Sequence, residues 1–343
     1  MANKTFIVIG NGFSINIVDI LGKNNEIDLR NLFSKGDEVV WPDNNEHGFL
    51  SRKYCNSLWT LGARTTMTKE ESNKFIGDII TCLNVFNYAA LNNQSLTDHG
   101  NKDNIYISAH NELSTYFRNL FIYYNLKIHD YDLNKKINDI PLITYIKNEI
   151  DNNKEIIIIT YNYDIFLERL LRLARIPFYI AGINRKSKSK VEIIKPHGSI
   201  SFVSKKEPIQ GKNFEIKSTF DSVVTSKNEL KLDYNVKVDK SLVNAIIPPA
   251  GDSNRLNKGW AYDMRKAIKD QITISGEKDN LVIYGLSYDH VDRIELDEII
   301  TTINPNVNVR YVNPDPTRTF DIVLGSIFKN YIQIKDAKML LEV

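Results

Sequence analysis

Ile156-Ile157-Ile158-Ile159-Thr160-Tyr161-Asn162-Tyr163-Asp164 is the stretch whose reading decides the fold class. Four consecutive isoleucines lack the alternation of a strand with one wet face. They read as a strand buried on both sides, the usual state of a central strand in a parallel sheet. Polar residues follow at once, and then an apolar-periodic helix from Phe166 to Leu173. In open α/β sheets, ligands bind beyond the carboxyl ends of strands, where the chain leaves the sheet for a helix. Thr160, Asn162 and Asp164 stand at such a point. Asp and Thr also cap helices well, and taken alone capping is the simpler account of Asp164 and Thr160.

The same arrangement recurs on either side. Thr5 to Ile9 is a β-rich run followed by Gly10-Asn11-Gly12-Phe13-Ser14. Leu281 to Tyr284 is a second buried run, ended by Gly285-Leu286-Ser287-Tyr288-Asp289. Val191 to Ile194 leads into Lys195-Pro196-His197-Gly198-Ser199, and Val307 to Val312 alternates before Asn313-Pro314-Asp315-Pro316 breaks it. Phe178 to Ile180 and Ala245 to Ile247 read as shorter strands, the latter stopped by Pro248 and Pro249. Helical spacing marks Gly259 to Ile272 and Val291 to Ile303. Strand, polar turn and helix in alternation predict an α/β fold: a Rossmann-like, doubly wound, mostly parallel sheet. Between the first strand and the isoleucine strand, Lys69 to Leu91, Glu112 to Leu126 and Ile140 to Ile150 carry helical periodicity. A single domain over 1–343 is expected, with a helical lobe inserted at approximately 26–151 over the strand ends.

Composition excludes several classes. Charge is nearly balanced, with a formal net of +2, and no acidic or basic tail announces a nucleic-acid or membrane partner. The 17 Tyr and 15 Phe argue for a folded chain. Two cysteines, Cys55 and Cys82, cannot build a four-cysteine zinc site or a disulfide framework. No apolar run approaches the ~20 residues of a membrane span, and the first residues lack a signal-peptide pattern. A cytoplasmic setting is the expectation.

Two glycines spaced by one residue just past a strand suit a tight turn or a close backbone approach to a phosphate. Ser14 would then open a helix, Ile15 to Leu21, whose free amides favour an anion. The full dinucleotide fingerprint is not met, because Ile15 stands where a third glycine would fall, and a plain turn accounts for the pair equally well. Among six histidines, His197 stands out because it follows a strand, where a general base would meet a ligand. Its rival His290 lies nearer the next helix start. His47, His99, His110 and His129 have no metal-ligand spacing.

Read together, the four strand-end motifs resemble the sirtuin superfamily. Gly10-Asn11-Gly12-Phe13-Ser14 resembles its first glycine-rich turn, Thr160-Tyr161-Asn162-Tyr163-Asp164 its Thr-x-Asn-x-Asp motif, and Pro196-His197-Gly198-Ser199 its His-Gly segment. Gly285-Leu286-Ser287 and Asn313 resemble its late Gly-x-Ser turn and the Asn near the cofactor's adenosine half. The opening Ile9-Gly10-Asn11-Gly12-Phe13 is also similar to the AbiH abortive-infection family of phage-defence proteins. Deacylating sirtuins insert a four-cysteine zinc module after the histidine. Ser201 to Asn244 has no cysteine here, so the resemblance is to the zinc-free sirtuin-like NAD hydrolases of bacterial immunity, and no metal is expected.

This resemblance implies NAD+ as substrate, lying across the strand ends with its diphosphate near Gly10, Asn11, Gly12, Phe13 and Ser14. It implies catalytic roles for Asn162, which has both a donor and an acceptor, and for His197 as a base. Thr160 and Asp164 would also belong to the cofactor site, Asp164 chiefly as a structural support that orients Asn162 or the helix start. Gly285, Ser287, Asn313 and Asp315 would meet the adenosine end. The implied activity is cleavage of NAD+ to nicotinamide and ADP-ribose by an anti-phage effector. An activating phage component, a partner protein or homo-oligomerisation would control it, with no membrane involved. Alternatives are ADP-ribosyl transfer, deacylation, or a non-catalytic module that senses NAD+ or ADP-ribose.

Overall fold

The computed structural model describes residues 3–92, 104–184, 189–206, 213–216, 225–238, 243–248, 259–287 and 293–342. The isoleucine run is β2 (Glu155–Thr160), and its isoleucines are buried on both faces. It pairs in parallel with β1 (Lys4–Ile9) on one side. Its other parallel neighbour is β4 (Val191–Ile194), with β3 (Phe178–Ile180) outside β4. On the far side of β1 come β7 (Asn280–Tyr284), β8 (Asn308–Val312) and β9 (Asn330–Ile334), all parallel. The seven-stranded sheet has the order β3-β4-β2-β1-β7-β8-β9. β5 (Phe202–Ser204) and β6 (Leu230–Leu232) form a separate antiparallel pair.

Strand order fixes where the helices go. From β1 the chain moves outward through β2 and β3, and it later crosses back to build β7, β8 and β9 on the opposite side. Right-handed crossovers in opposite directions place their helices on opposite faces, and the helix contacts agree. α1 (Asn11–Leu21) packs on α5 (Asp130–Lys136), and α5 on α7 (Phe166–Leu173). On the other face α8 (Gly259–Thr273) packs on α9 (Arg293–Thr302), and α9 on α10 (Arg318–Ile327). This is the doubly wound Rossmann-like α/β arrangement expected, with its order reversing between β1 and β7.

Between β1 and β2 lie α2 (Asn56–Leu61), α3 (Lys69–Asn92), α4 (Ile105–Lys127), α5 and α6 (Pro141–Asp151). The helical block therefore exists, with one correction. Residues 23–55 are turns rather than helix, because Asn, Asp, Gly and Pro recur there too often for a helical run. α6, at the end of the block, packs directly on β2. α4 reaches the strand-end segments. Ser114 Oγ donates to Ile246 O (2.9 Å) and Arg118 Nη1 to Ile200 O (3.3 Å).

Three further expectations shift. α1 begins at Asn11 rather than after Ser14, since the Gly10 N-cap is extended (φ −112°) and the helix starts directly at the glycine turn. Ala245 to Ile247 forms only an isolated antiparallel bridge, Gly198 with Ile246, because Pro248 removes the next amide a ladder needs. β9 and its preceding α10 were not expected from periodicity. β9 is an edge strand with mixed exposure, and edge strands carry weak patterns. His290, His99 and Tyr288-Asp289 lie outside the described residues.

Candidate functional site

The sequence islands fall in one row. In sheet order, the carboxyl ends of β4, β2, β1, β7 and β8 carry His197, Thr160 to Asp164, Gly10 to Ser14, Gly285 to Ser287, and Asn313 to Asp315. Five neighbouring strand ends thus present residues that lie far apart in the chain.

At the switch point the turns after β1 and β7 are in close contact. Gly10 N–H donates to Tyr284 O, Gly12 N–H to Gly285 O and Phe13 N–H to Gly10 O. A Cβ on Gly12 would sit 2.6 Å from Gly285 Cα, so the two glycines are what let the turns touch. Gly285 adopts φ +61°, a left-handed conformation that suits glycine. These three amides are spent on protein carbonyls. In this structure the glycine pair closes a turn–turn contact. Phe13 is buried and packs edge-on against Tyr284, with ring centroids 5.7 Å apart. Asn11 ties the turn to the following segment through Nδ2 and Leu29 O (2.8 Å).

Asn162 is the best-defined side chain of the row. Its Nδ2 donates to Gly10 O (3.0 Å) and to Ser14 Oγ (2.9 Å). A carbonyl can only accept, so the nitrogen must face Gly10, and the amide orientation follows from chemistry. Both amide hydrogens are committed, and on this half-buried side chain Oδ1 is the atom left without a partner among the described residues. The expectation that Asn162 offers a donor and an acceptor is thereby corrected to an acceptor only. Its main-chain N–H donates to Thr160 Oγ1 (3.2 Å), which gives Thr160 a local role.

Behind Asn162 lies a buried polar cluster. Ser14 Oγ donates to Asp164 Oδ2 (2.7 Å), and Asp164 Oδ1 caps α7 by accepting from Phe166 N–H (3.0 Å). Lys195 Nζ donates to Asp164 O (2.7 Å) and to Glu168 Oε1 (2.8 Å). Lys195 and Glu168 are both 0 % exposed, and Glu168 Oε2 has no partner among the described residues. Burial pushes the Asp164 and Glu168 carboxyls above their ordinary range, with the Lys195 charge pulling the other way. Lys195 and Glu168 were not foreseen, although a lysine ending an apolar strand and a glutamate on the apolar face of a helix were both visible.

His197 is held against α9. It is 1 % exposed, its Nε2 lies 2.9 Å from Glu295 Oε2 on α9, and its ring packs edge-on against Tyr161 (4.9 Å). Among the described residues no hydrogen bond joins Asn162 to His197. Gly198 holds the histidine segment in place. Its φ is +86°, and a Cβ there would lie 1.9 Å from Ala245 O. A shallow depression enclosing only about 20 Å³ lies beside Glu295 between α8 and α9, lined by Tyr161, Arg265, Lys269, Glu295, Glu298 and isoleucines.

At the far end Asn313 Nδ2 donates to Leu286 O (3.0 Å) and Tyr311 Oη (2.9 Å), and its Oδ1 accepts from Asp315 N–H (3.0 Å). Asn313 therefore ties β8 to the turn after β7. Ser287 and Asp315 are exposed at the rim. Among the described residues, no group of three or more His, Cys, Asp or Glu side chains could hold a metal, and no helix is long and apolar enough to cross a membrane. No protein-family model and no curated protein matches the chain.

Proposed function

We propose that the protein is an NAD+ glycohydrolase of sirtuin-like type, which releases nicotinamide and ADP-ribose and serves as an effector of anti-phage abortive infection. The supporting observation is the row of five adjacent strand ends, with Asn162 Oδ1 held as a fixed acceptor at the second of them. A dinucleotide laid along such a row meets each island in turn.

The reaction adds water to the ribose carbon as its bond to nicotinamide breaks. The bond's electron pair goes to the ring nitrogen, nicotinamide leaves neutral, and the water gives up a proton. Asn162 Oδ1 accepts from the attacking water or from a ribose hydroxyl and so orients it. His197 takes the proton as general base. Its 1 % exposure means that the ring must be uncovered before it meets substrate. That closure fits an effector kept silent until a phage component or a partner chain opens it. The same closure favours a second reading, a sensor that binds NAD+ or ADP-ribose without turnover.

Nicotinamide release by purified protein, beside Asn162→Ala and His197→Ala, tests the proposal. Release by wild type with a loss of about 10²–10⁴-fold in His197→Ala is expected. Binding of NAD+ without release by an activated sample supports the sensor, and absence of NAD+ binding ends both readings.

A further inference from the structure

The hydrogen bonds behind Asn162 have only one consistent direction. Gly10 O is an acceptor, so Asn162 must turn its nitrogen to it. The second hydrogen on that nitrogen points to Ser14 Oγ, which lies 2.9 Å away. Ser14 has one hydrogen to give, and it goes to Asp164 Oδ2 at 2.7 Å. The other Asp164 oxygen accepts from Phe166 N–H. The Lys195 ammonium, 0 % exposed, grips the Asp164 main-chain carbonyl and places its charge beside the cluster. Each link is buried or partly buried, where a mismatched donor or acceptor is costly.

We infer that Lys195, Asp164 and Ser14 are positioning residues that lock Asn162 with only its Oδ1 left uncommitted at the strand end, which makes this part of the site selective for a hydrogen-bond donor. The inference rests on the proposed reading only for the identity of that donor, a ribose hydroxyl or a water. An unprotonated phosphate or carboxylate oxygen placed there would face Oδ1 acceptor to acceptor. Along the row of strand ends, Asn162 therefore marks where the sugar lies and where the diphosphate does not.

Asp164→Asn is the sharpest test, because it keeps the shape and the cap on Phe166. Its new Nδ2 must face Ser14, whose hydrogen then loses its acceptor, and turning Asn162 over instead would set Oδ1 against Gly10 O. Every arrangement leaves one mismatch. Ser14→Ala is the second variant. It removes one acceptor, leaves Gly10 O in place, and is small enough to fold.

The readout that needs no turnover is the Asn162 side-chain NH2 in 15N-labelled full-length protein. In wild type both protons should be protected from exchange. In Ser14→Ala one should lose protection, and in Asp164→Asn both should change. NAD+ and ADP-ribose affinities should fall on the order of tenfold or more in Asp164→Asn, while inorganic phosphate should compete no better than it does for wild type. Unprotected Asn162 protons in wild type, or the same protection in folded Ser14→Ala and Asp164→Asn, overturn the positioning role. The proton measurement stands whether or not nicotinamide is released. Normal release with unchanged protons defeats only this inference, and protected protons with no NAD+ binding defeat only the proposed reading.

Discussion

Replacing Lys195 by Met removes the one cation, among the described residues, that is bonded into a cluster with Asp164 and Glu168, at 3 % and 0 % exposure. The methionine fills most of the space, so the loss is electrostatic rather than steric. Breaking a buried ion pair by deleting one partner costs about 3–5 kcal/mol, because the surviving charge stays desolvated. Here Glu168 Oε1 loses its 2.8 Å partner and Asp164 O its 2.7 Å partner. Set against a typical total of about 5–15 kcal/mol, that is a large share. Urea unfolding is the assay, and the midpoint should fall at an unchanged slope.

The variant also carries a pH signature. Burial already raises both carboxyls in the wild type, so the folded state binds their protons more tightly than the unfolded state does. Stability from these groups is present below the unfolded pKa and is lost as pH rises through the raised folded value. Without the lysine this slope steepens, and Lys195→Met should recover part of its deficit on acidification. Lys195→Met/Glu168→Met should regain much of the loss at neutral pH, as paired hydrophobic replacement often does. A single-variant loss below about 1 kcal/mol, or a double variant no better than the single, would refute this account of the cluster.

Other outcomes follow from single features. His110 is 4 % exposed and desolvated to a pKa of about 4, against an ordinary 6.5. The unfolded state therefore binds its proton first, and on the order of 3 kcal/mol of stability is lost as pH falls through that window; His110→Phe should flatten urea midpoints measured between those two values. Gly198→Ala, at φ +86° with Ala245 O only 1.9 Å from the new Cβ, should cost at least about 1–2 kcal/mol from conformation alone and shift the His197 resonances. Gly12→Ala forces the β1 and β7 turns apart. It should weaken Asn162 side-chain protection as well as stability, seen in the same 15N spectra.

The core of the fold was legible because burial on both faces leaves a plain mark. Ile156 to Ile159 and Leu281 to Tyr284 are apolar without alternation, and both became central parallel strands. The turns that end them were legible through glycine and proline, residues whose backbone chemistry is local. What stayed hidden depends on partners remote in the chain. Glu295 reaches His197 and Glu168 reaches Lys195 only because the sheet brings their helices to the strand ends. The role of Asn162 changed for the same reason. Its chemistry suggested a donor and an acceptor, and only the neighbouring Gly10 carbonyl shows which half is consumed.

The placement of β1 has a consequence for how the chain is made. β1 holds the middle of the sheet, yet its partners β2 and β7 follow nearly half a chain and most of a chain later. On the ribosome this apolar strand emerges long before either neighbour exists, with both edges unpaired. The sheet cannot close until β7 has been synthesised, so folding is late and dominated by distant pairings, the slow and aggregation-exposed regime. Production of the protein should therefore respond to chaperone supply during translation more than to conditions that stabilise the finished fold.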